Sequence, residues 1–197
     1  MKTCLIAVLL ISISAAAQPD PTSPPAHLFR DTRHGISLQI PAGWNFSRKD
    51  SDLSTFSFDA RTAARNTQMR AVANIAFNPF PASTFSGALF YFSVTPHTSE
   101  AECRAQATAL APRAVTTVPI DGVTFTHGYD EHGTICIEAR NEIYTAHRNN
   151  SCNRFDLVIN TFCGGDVSGV RDITPQQIDA VRKRLESILN TVTFDAK

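Results

Sequence analysis

The sequence has no excess of either charge. Its 18 Lys and Arg residues balance 18 Asp and Glu residues, so the formal net charge is zero. The longest basic run is Arg182-Lys183-Arg184, inside a predicted helix. Nucleic acids and anionic membranes attract proteins through clustered positive charge. We therefore expect no nucleic-acid partner and interpret the basic run as a solvated helix face.

Long apolar runs are absent after the first 17 residues. Lys2 is followed by a short apolar run, residues 5–13, and then by three alanines at 15–17. This order predicts an export signal over residues 1–17, cleaved before Gln18. The run is too short to span a bilayer. We expect an exported soluble protein without a membrane span, in the periplasm or outside the cell.

Several sequence motifs that are typical of catalytic or metal sites are also absent. No CxxC pair is present, so we do not expect a zinc site built from cysteines. Residues 164–169 are glycine-rich without the lysine and spacing of a phosphate-binding loop, and they predict a strand-to-helix connector. No serine stands in a nucleophile-elbow pattern. The sequence thus predicts no cofactor and no catalytic residue.

Cysteine is the informative residue type that remains. Loss of the signal removes Cys4 and leaves an even number of cysteines, namely Cys103, Cys136, Cys152 and Cys163. An even number in an exported protein is typical of disulfides, and four cysteines allow three pairings. We therefore predict two disulfides.

One pairing is favoured by a predicted turn. Asn149-Asn150 lies between two strand-like runs and suits a two-residue type I′ turn. Cys136 and Cys163 are equidistant from its centre and would lie opposite each other, which leaves Cys103 to pair with Cys152. A longer turn would shift the register and undo this argument.

The chain divides into three parts. After the signal, residues 18–26 contain four prolines and predict an extended tether. Residues 27–197 suit a single domain. Within it, residues 28–31 and 36–40 predict a hairpin, and Pro41 and Gly43 end the second arm.

Further strands and two helices are predicted along the domain. The other strand candidates are residues 53–58, 71–77, 88–94, 115–120, 123–129, 135–147 and 153–162, with turns at 121–122 and 130–133. A capping box at Ser99 predicts a helix to about residue 111, with Cys103, Ala107 and Leu110 on its inner face. A second box at Thr174 opens a helix whose apolar stripe must pack on a sheet. The predicted class is α+β, an antiparallel β-sheet with packed helices.

Both ends of the domain resemble a known family. The segment Gly35-Ile36 to Gly43-Trp44, with the arm before it, resembles the opening hairpin of PsbP-like domains. Residues 176–194 resemble their last helix and strand. The resemblance implies an α/β/α sandwich and a role in binding and assembly, with no common catalytic residues. PsbP-like photosynthetic members do not require four cysteines, and we propose no photosystem role.

Two polar sets are candidate sites. His127, Asp130, Glu131 and His132 surround the predicted turn at 130–133. If that turn is tight, His127 and His132 lie near each other and could serve a metal or acid–base site with Glu131. This is the basis of an alternative function, a hydrolase or metal-dependent enzyme. The alternative interpretation of these residues is a solvated turn.

The second polar set lies on one strand. Glu138, Arg140, Glu142 and Tyr144 alternate along one face, which predicts either a binding face or a solvated face with cross-strand ion pairs. An aromatic-rich stretch at residues 77–92 predicts either a groove for a ligand or, as the simpler interpretation, part of the packed core. We predict a non-catalytic binding or accessory module whose partner, a protein or a small molecule, is unknown.

Overall fold

The structure is a computed structural model that describes residues 23–49, 53–110, 115–164 and 169–195. The predicted export signal, most of the tether, and residues 165–168 of the predicted connector lie outside the described residues. So does the predicted end of the first long helix, near residue 111. Within the described ranges, no helix is both long enough and apolar enough to cross a membrane.

The described chain contains ten strands and three helices, which we number in chain order. The strands are β1 His27–Asp31, β2 Ile36–Ile40, β3 Trp44–Ser47, β4 Gln68–Ile75, β5 Phe85–Pro96, β6 Thr116–Ile120, β7 Val123–Thr134, β8 Ile137–Arg148, β9 Ser151–Phe162 and β10 Thr193–Phe194. The helices are α1 Phe56–Asp59, α2 Glu100–Thr108 and α3 Pro175–Leu189.

The strands form two antiparallel sheets. The larger has seven strands in the order β3-β4-β5-β9-β8-β7-β6, and the smaller has three in the order β1-β2-β10. The predicted first hairpin is confirmed, with Phe29 opposite Leu38. Its second arm also pairs with β10, so the beginning and the end of the domain share one small sheet. The predicted α+β class is confirmed.

The main core lies between the large sheet and a layer made of the small sheet and α3. Its members include the aromatic and branched side chains Phe29, Leu38, Ile40, Phe90, Phe92, Phe125, Phe155, Leu157, Leu185 and Ile188. These side chains alternate along their strands or recur at helical spacing, as half-buried elements require. A smaller core around Val72, Tyr91 and Val158 lies on the opposite face, beneath α1.

Both predicted capping boxes are present. The Thr174 hydroxyl accepts from the Gln177 amide at 3.2 Å, and the Gln177 side chain accepts from the Thr174 amide at 2.9 Å. Ser99 and Glu102 form the same reciprocal pair at the start of α2. These bonds satisfy amides that the first helical turn leaves free.

The predicted strand at 53–58 and the predicted inner face of α2 differ from the structure. Residues 53–58 do not form a strand, because the chain turns into α1 there and the Phe56 ring packs edge-on against Tyr91, with the ring centroids 5.5 Å apart. On α2, Cys103 and Ala107 are buried as predicted, whereas Leu110 is exposed. The helix ends at Thr108, before Leu110 can reach the sheet.

The β8–β9 turn has two residues, with Arg148 opposite Ser151. Asn149 and Asn150 have φ angles of 52° and 58°, as a type I′ turn requires. The structure joins Cys136 to Cys163 and Cys103 to Cys152. This is the pairing that the register argument favours.

Candidate functional site

The hairpin turn between β7 and β8 lies four residues later than the sequence predicts. Residues 130–133 continue β7, and Thr134 pairs with Ile137 around a turn made of Ile135 and Cys136. The prediction that His127 and His132 meet across a tight turn is therefore wrong. They lie five residues apart on one strand, and side chains at odd spacing point to opposite faces.

Burial of Asp130 and His132 explains the later turn. Asp130 accepts from Arg61 Nε and Nη2, both at 2.7 Å, and lies 3.1 Å from His132 Nδ1. These hydrogen bonds raise the pKa of Arg61. His132 Nε2 lies 2.7 Å from the Phe58 carbonyl oxygen, and its ring packs on Phe58. Both polar residues thus fasten segment 53–67 to the sheet.

A fully buried ion pair also links segment 53–67 to the sheet. Arg154 donates through Nε and Nη2 to Asp156, at 2.8 and 2.6 Å, and through Nη1 to the Thr62 hydroxyl at 2.8 Å. Asn141 donates to Asp156 and to the Asp59 carbonyl oxygen. Buried charges are tolerated when they are paired and hydrogen-bonded. We interpret this network as structural.

The three candidate metal ligands do not converge. His127 and Glu131 point to the α3 side of the sheet, whereas His132 points to the α2 side beneath segment 53–67. Among the residues that the structure describes, no group of three or more His, Cys, Asp or Glu side chains is arranged to hold a metal ion.

The outer half of the predicted binding face is an open charged surface. Arg140 Nη2 donates to Glu138 at 2.8 Å, and Arg140 Nε lies 3.2 Å from Glu131 on β7. Glu138 and Glu131 are exposed. We call these three residues, Glu131, Glu138 and Arg140, the charged rim.

The inner half of that face is covered by α3. Glu142 contacts His127 Nε2 at 2.7 Å and Arg182 Nε of α3 at 3.3 Å. Tyr144 is buried and stacks on His127, and this burial raises the pKa of its hydroxyl. These two predicted face residues are therefore part of the helix packing. Tyr144 also lines a cleft of about 390 Å³ between β6 and α3.

Thr116, His127 and Glu142 form a hydrogen-bonded row. The Thr116 hydroxyl lies 3.2 Å from His127 Nδ1, and the Glu142 carboxylate is hydrogen-bonded to His127 Nε2. A hydroxyl, an imidazole and a carboxylate in this order can activate a nucleophile. Here Glu142 is also shared with Arg182, and the lining of the neighbouring cleft does not include His127. We interpret the row as cross-strand pairing.

The hairpin tip is the part of this region that sequence reasoning missed. Ile135 is 95% exposed and Ile137 is 48% exposed, although both are strongly apolar. Between them, Cys136 has a φ of 67° and is joined to Cys163. We call residues Ile135, Cys136 and Ile137 the tip. The same-face series Phe125, His127, Tyr129 and Glu131 extends β7 only into the predicted turn, so it does not locate the tip.

The aromatic-rich stretch supplies the core. Phe85, Phe90 and Phe92 are buried in the main core, and Tyr91 is buried on the opposite face. Phe77, before β5, is 44% exposed. The simpler of the two interpretations, packed core, describes most of this stretch.

Comparison with known proteins gives likenesses in fold. No family model matches the sequence, and no curated protein matches it. A protein from Bacteroides thetaiotaomicron is similar with a TM-score of 0.44 and 7% identity, over 88% of this chain and 49% of that one. This chain thus spans about half the length of that protein.

A cyanobacterial PsbP from Synechocystis is also similar. The TM-score is 0.46 and the identity 10%, over 93% of this chain and 99% of that one. PsbP is the family that both ends of the sequence resemble. At these identities, both likenesses concern the fold alone.

Proposed function

We propose that the protein is an exported, non-catalytic binding module that docks a partner protein with the tip and the charged rim. The observation that carries this proposal is the exposure of Ile135 at the end of a rigid hairpin. Burying an isoleucine side chain on association would stabilise a complex by about 1.5–3 kcal/mol. Apolar groups in an exposed patch with a polar border are typical of interaction sites.

Rigidity of the tip supports the proposal. Twelve-residue strands flank the tip on both sides, and the Cys136–Cys163 disulfide ties it to the end of β9. Cys136 is held in the left-handed region, which is unfavourable for a residue with a side chain by about 1–2 kcal/mol. A pre-ordered tip loses little conformational entropy on binding.

The charged rim defines the chemistry of the partner. Two carboxylates share one guanidinium, which leaves an excess of one negative charge on the face of the hairpin that bears Glu138, opposite to the face that bears Ile137. We expect a partner protein with an apolar recess bordered by Lys or Arg. Complementary charge at a rim speeds association and makes it dependent on salt.

Export is supported by residue chemistry. Two disulfides in one domain are typical of oxidising compartments, and the first 17 residues have the pattern of a secretory signal. Binding is also the role that the sequence resemblance to PsbP-like domains implies.

The test is affinity capture from envelope and culture fractions of the source cells, with the oxidised protein as bait. We expect the wild type to retain one defined protein. The retained amount should fall at least tenfold with Ile135→Asp, because a buried charge then replaces an apolar side chain. Leu110→Asp is the matched control, since Leu110 is exposed near α2, away from the tip.

Three results would contradict the proposal. If Ile135→Asp retains as much of the captured protein as the wild type does, the tip does not take part in binding. Loss of the captured protein with both Ile135→Asp and Leu110→Asp would indicate non-specific adsorption to exposed apolar side chains. A captured protein whose binding does not respond to salt would argue against a role for the charged rim.

A further inference from the structure

A cavity of about 210 Å³ lies at the opposite end of β8 from the tip. The two ends of β8 are about 36 Å apart, at 3.3 Å per residue. Four parts of the chain meet at the cavity: the β1–β2 turn, the start of β4, the end of β5 with the residue after it, and the β8–β9 turn with the start of β9. Its lining consists of Arg33, His34, Gln68, Pro96, His97, Arg148, Asn149, Ser151 and Asn153.

The lining is rich in cationic groups and contains no carboxylate. Asp31 is the neighbouring acid, and its Oδ2 accepts from Arg70 at 2.7 Å and from His34 at 2.9 Å. Its carboxylate charge is thus already paired with those two groups. Asp195 gives its main-chain oxygen to Arg148 Nη2 at 2.9 Å, while its carboxylate lies beside Gly35. Arg33 and Arg148 both line this cavity, and its lining residues include no Asp or Glu.

Two lining residues have polar atoms that are buried without a hydrogen-bond partner among the described residues. One is Arg148 Nη1 and the other is Asn153 Oδ1. Asn153 is 97% buried, since its exposure is 3%. A buried polar atom without a partner is unfavourable by about 1–3 kcal/mol. An amide can present its NH₂ instead of its oxygen by a half-turn, so Asn153 can serve as a donor here.

The backbone at the cavity is also unusual. His97 has a φ of 52°, and its amide donates to the Asn150 carbonyl oxygen at 3.0 Å. The positive φ of Asn149 and Asn150 is explained by their turn, but His97 does not belong to a tight hairpin. Strained residues that the fold holds in place are concentrated at ligand sites.

We propose that this cavity binds a small oxyanion, a phosphate or carboxylate group, between Arg33 and Arg148 with His97 and Asn153 at its sides. Guanidinium groups bind such oxygens through paired, charge-assisted hydrogen bonds. The volume is below the 300–1,000 Å³ of typical organic-ligand pockets, which fits a small anionic group. The site does not involve the tip and is independent of the proposed function.

The test is an NMR titration of the oxidised protein with inorganic phosphate and, separately, with acetate, at constant ionic strength set by chloride. We expect saturable shifts of the amides of His97, Asn149, Asn150 and Ser151. Arg33→Gln should weaken binding at least tenfold. Arg104→Gln removes the same charge from the exposed side of α2 and should leave binding unchanged.

Each outcome has a clear meaning. Saturation by phosphate or by acetate, lost in Arg33→Gln and kept in Arg104→Gln, supports the site and identifies which group it prefers. The proposal is overturned if neither anion saturates these amides, if Arg33→Gln binds as the wild type does, or if both variants weaken binding equally. The unchanged amide spectrum of Arg33→Gln elsewhere would verify that the variant is folded.

Discussion

Asp31 and Asp59 are both buried carboxylates, and their surroundings shift their pKa values in opposite directions. Burial alone would raise the pKa of Asp31, but hydrogen bonds from Arg70 and His34 outweigh it and hold the pKa at about 2. Asp59 accepts from the hydroxyls of Thr55 and Tyr91, and burial dominates, so its pKa is raised. Neutral donors stabilise a carboxylate less than cations do.

Asp31→Asn should lower the free energy of unfolding at pH 7 by about 1–3 kcal/mol, because it removes the charged acceptor of three hydrogen bonds, from Arg70, His34 and the Arg33 amide. The folded pKa is below the ordinary value of 3.8, so the ionised carboxylate stabilises the fold above about pH 4. That contribution is lost as the pH falls toward 2. Urea unfolding of both proteins from pH 7 to pH 2 measures it.

Asp179→Asn is the control for that series. Asp179 pairs with Arg182 on the exposed side of α3, where an ion pair contributes about 0–1 kcal/mol. A difference between Asp31→Asn and the wild type that stays constant down to pH 2 would contradict the assigned role of Asp31.

At the scale of elements, the contact between α2 and β7 depends on one glycine. A Cβ atom on Gly128 would lie 1.7 Å from the Ala107 carbonyl oxygen, which is closer than any real contact. The end of α2 therefore rests directly on the backbone of β7. The Cys103–Cys152 disulfide fixes the same helix to β9.

Gly128→Ala should displace α2 and lower the free energy of unfolding by at least about 2 kcal/mol, as overpacking against a rigid backbone does. Gly87→Ala on β5 is the matched control, since a Cβ there meets no atom within 4 Å. Its effect should be within about 1 kcal/mol of zero. Urea unfolding and hydrogen exchange of the α2 amides measure both; equal effects would contradict the close approach.

Local signals were sufficient for some elements and insufficient for others. Thr174 and Ser99 mark helix starts because their capping bonds involve residues three positions away. Asp130-Glu131-His132-Gly133 has the composition of a turn but continues a strand. Asp130 and His132 are hydrogen-bonded to Arg61 and to the Phe58 carbonyl oxygen, which are some 70 residues away in sequence, and no local pattern contains that information.

At the scale of the molecule, the two disulfides close loops of different kinds. Cys103–Cys152 spans 49 residues and joins a helix to the large sheet, whereas Cys136–Cys163 spans 27 residues and braces a hairpin. Chain entropy gives about 4 and about 3.5 kcal/mol for these spans. Cys103 and Cys152 are also fully buried, so their removal leaves a void as well.

The double variant Cys103→Ala/Cys152→Ala should therefore lose more stability than Cys136→Ala/Cys163→Ala, by about 1 kcal/mol or more. Thermal unfolding of both oxidised variants at pH 7 compares them directly. A larger loss for the 136–163 pair would indicate that the tip is anchored to the core more firmly than its exposure implies.

Residue type and spacing were enough to predict the starts of the two capped helices, the first hairpin and the Asn149-Asn150 turn. Each depends on preferences that act within a few positions of the chain. Tertiary structure decided where β7 ends, that His127 and His132 face opposite sides, and that Arg33, His97 and Arg148 surround one cavity. Those outcomes depend on packing between segments distant in sequence, and burial energy selects among local patterns that are equally acceptable alone.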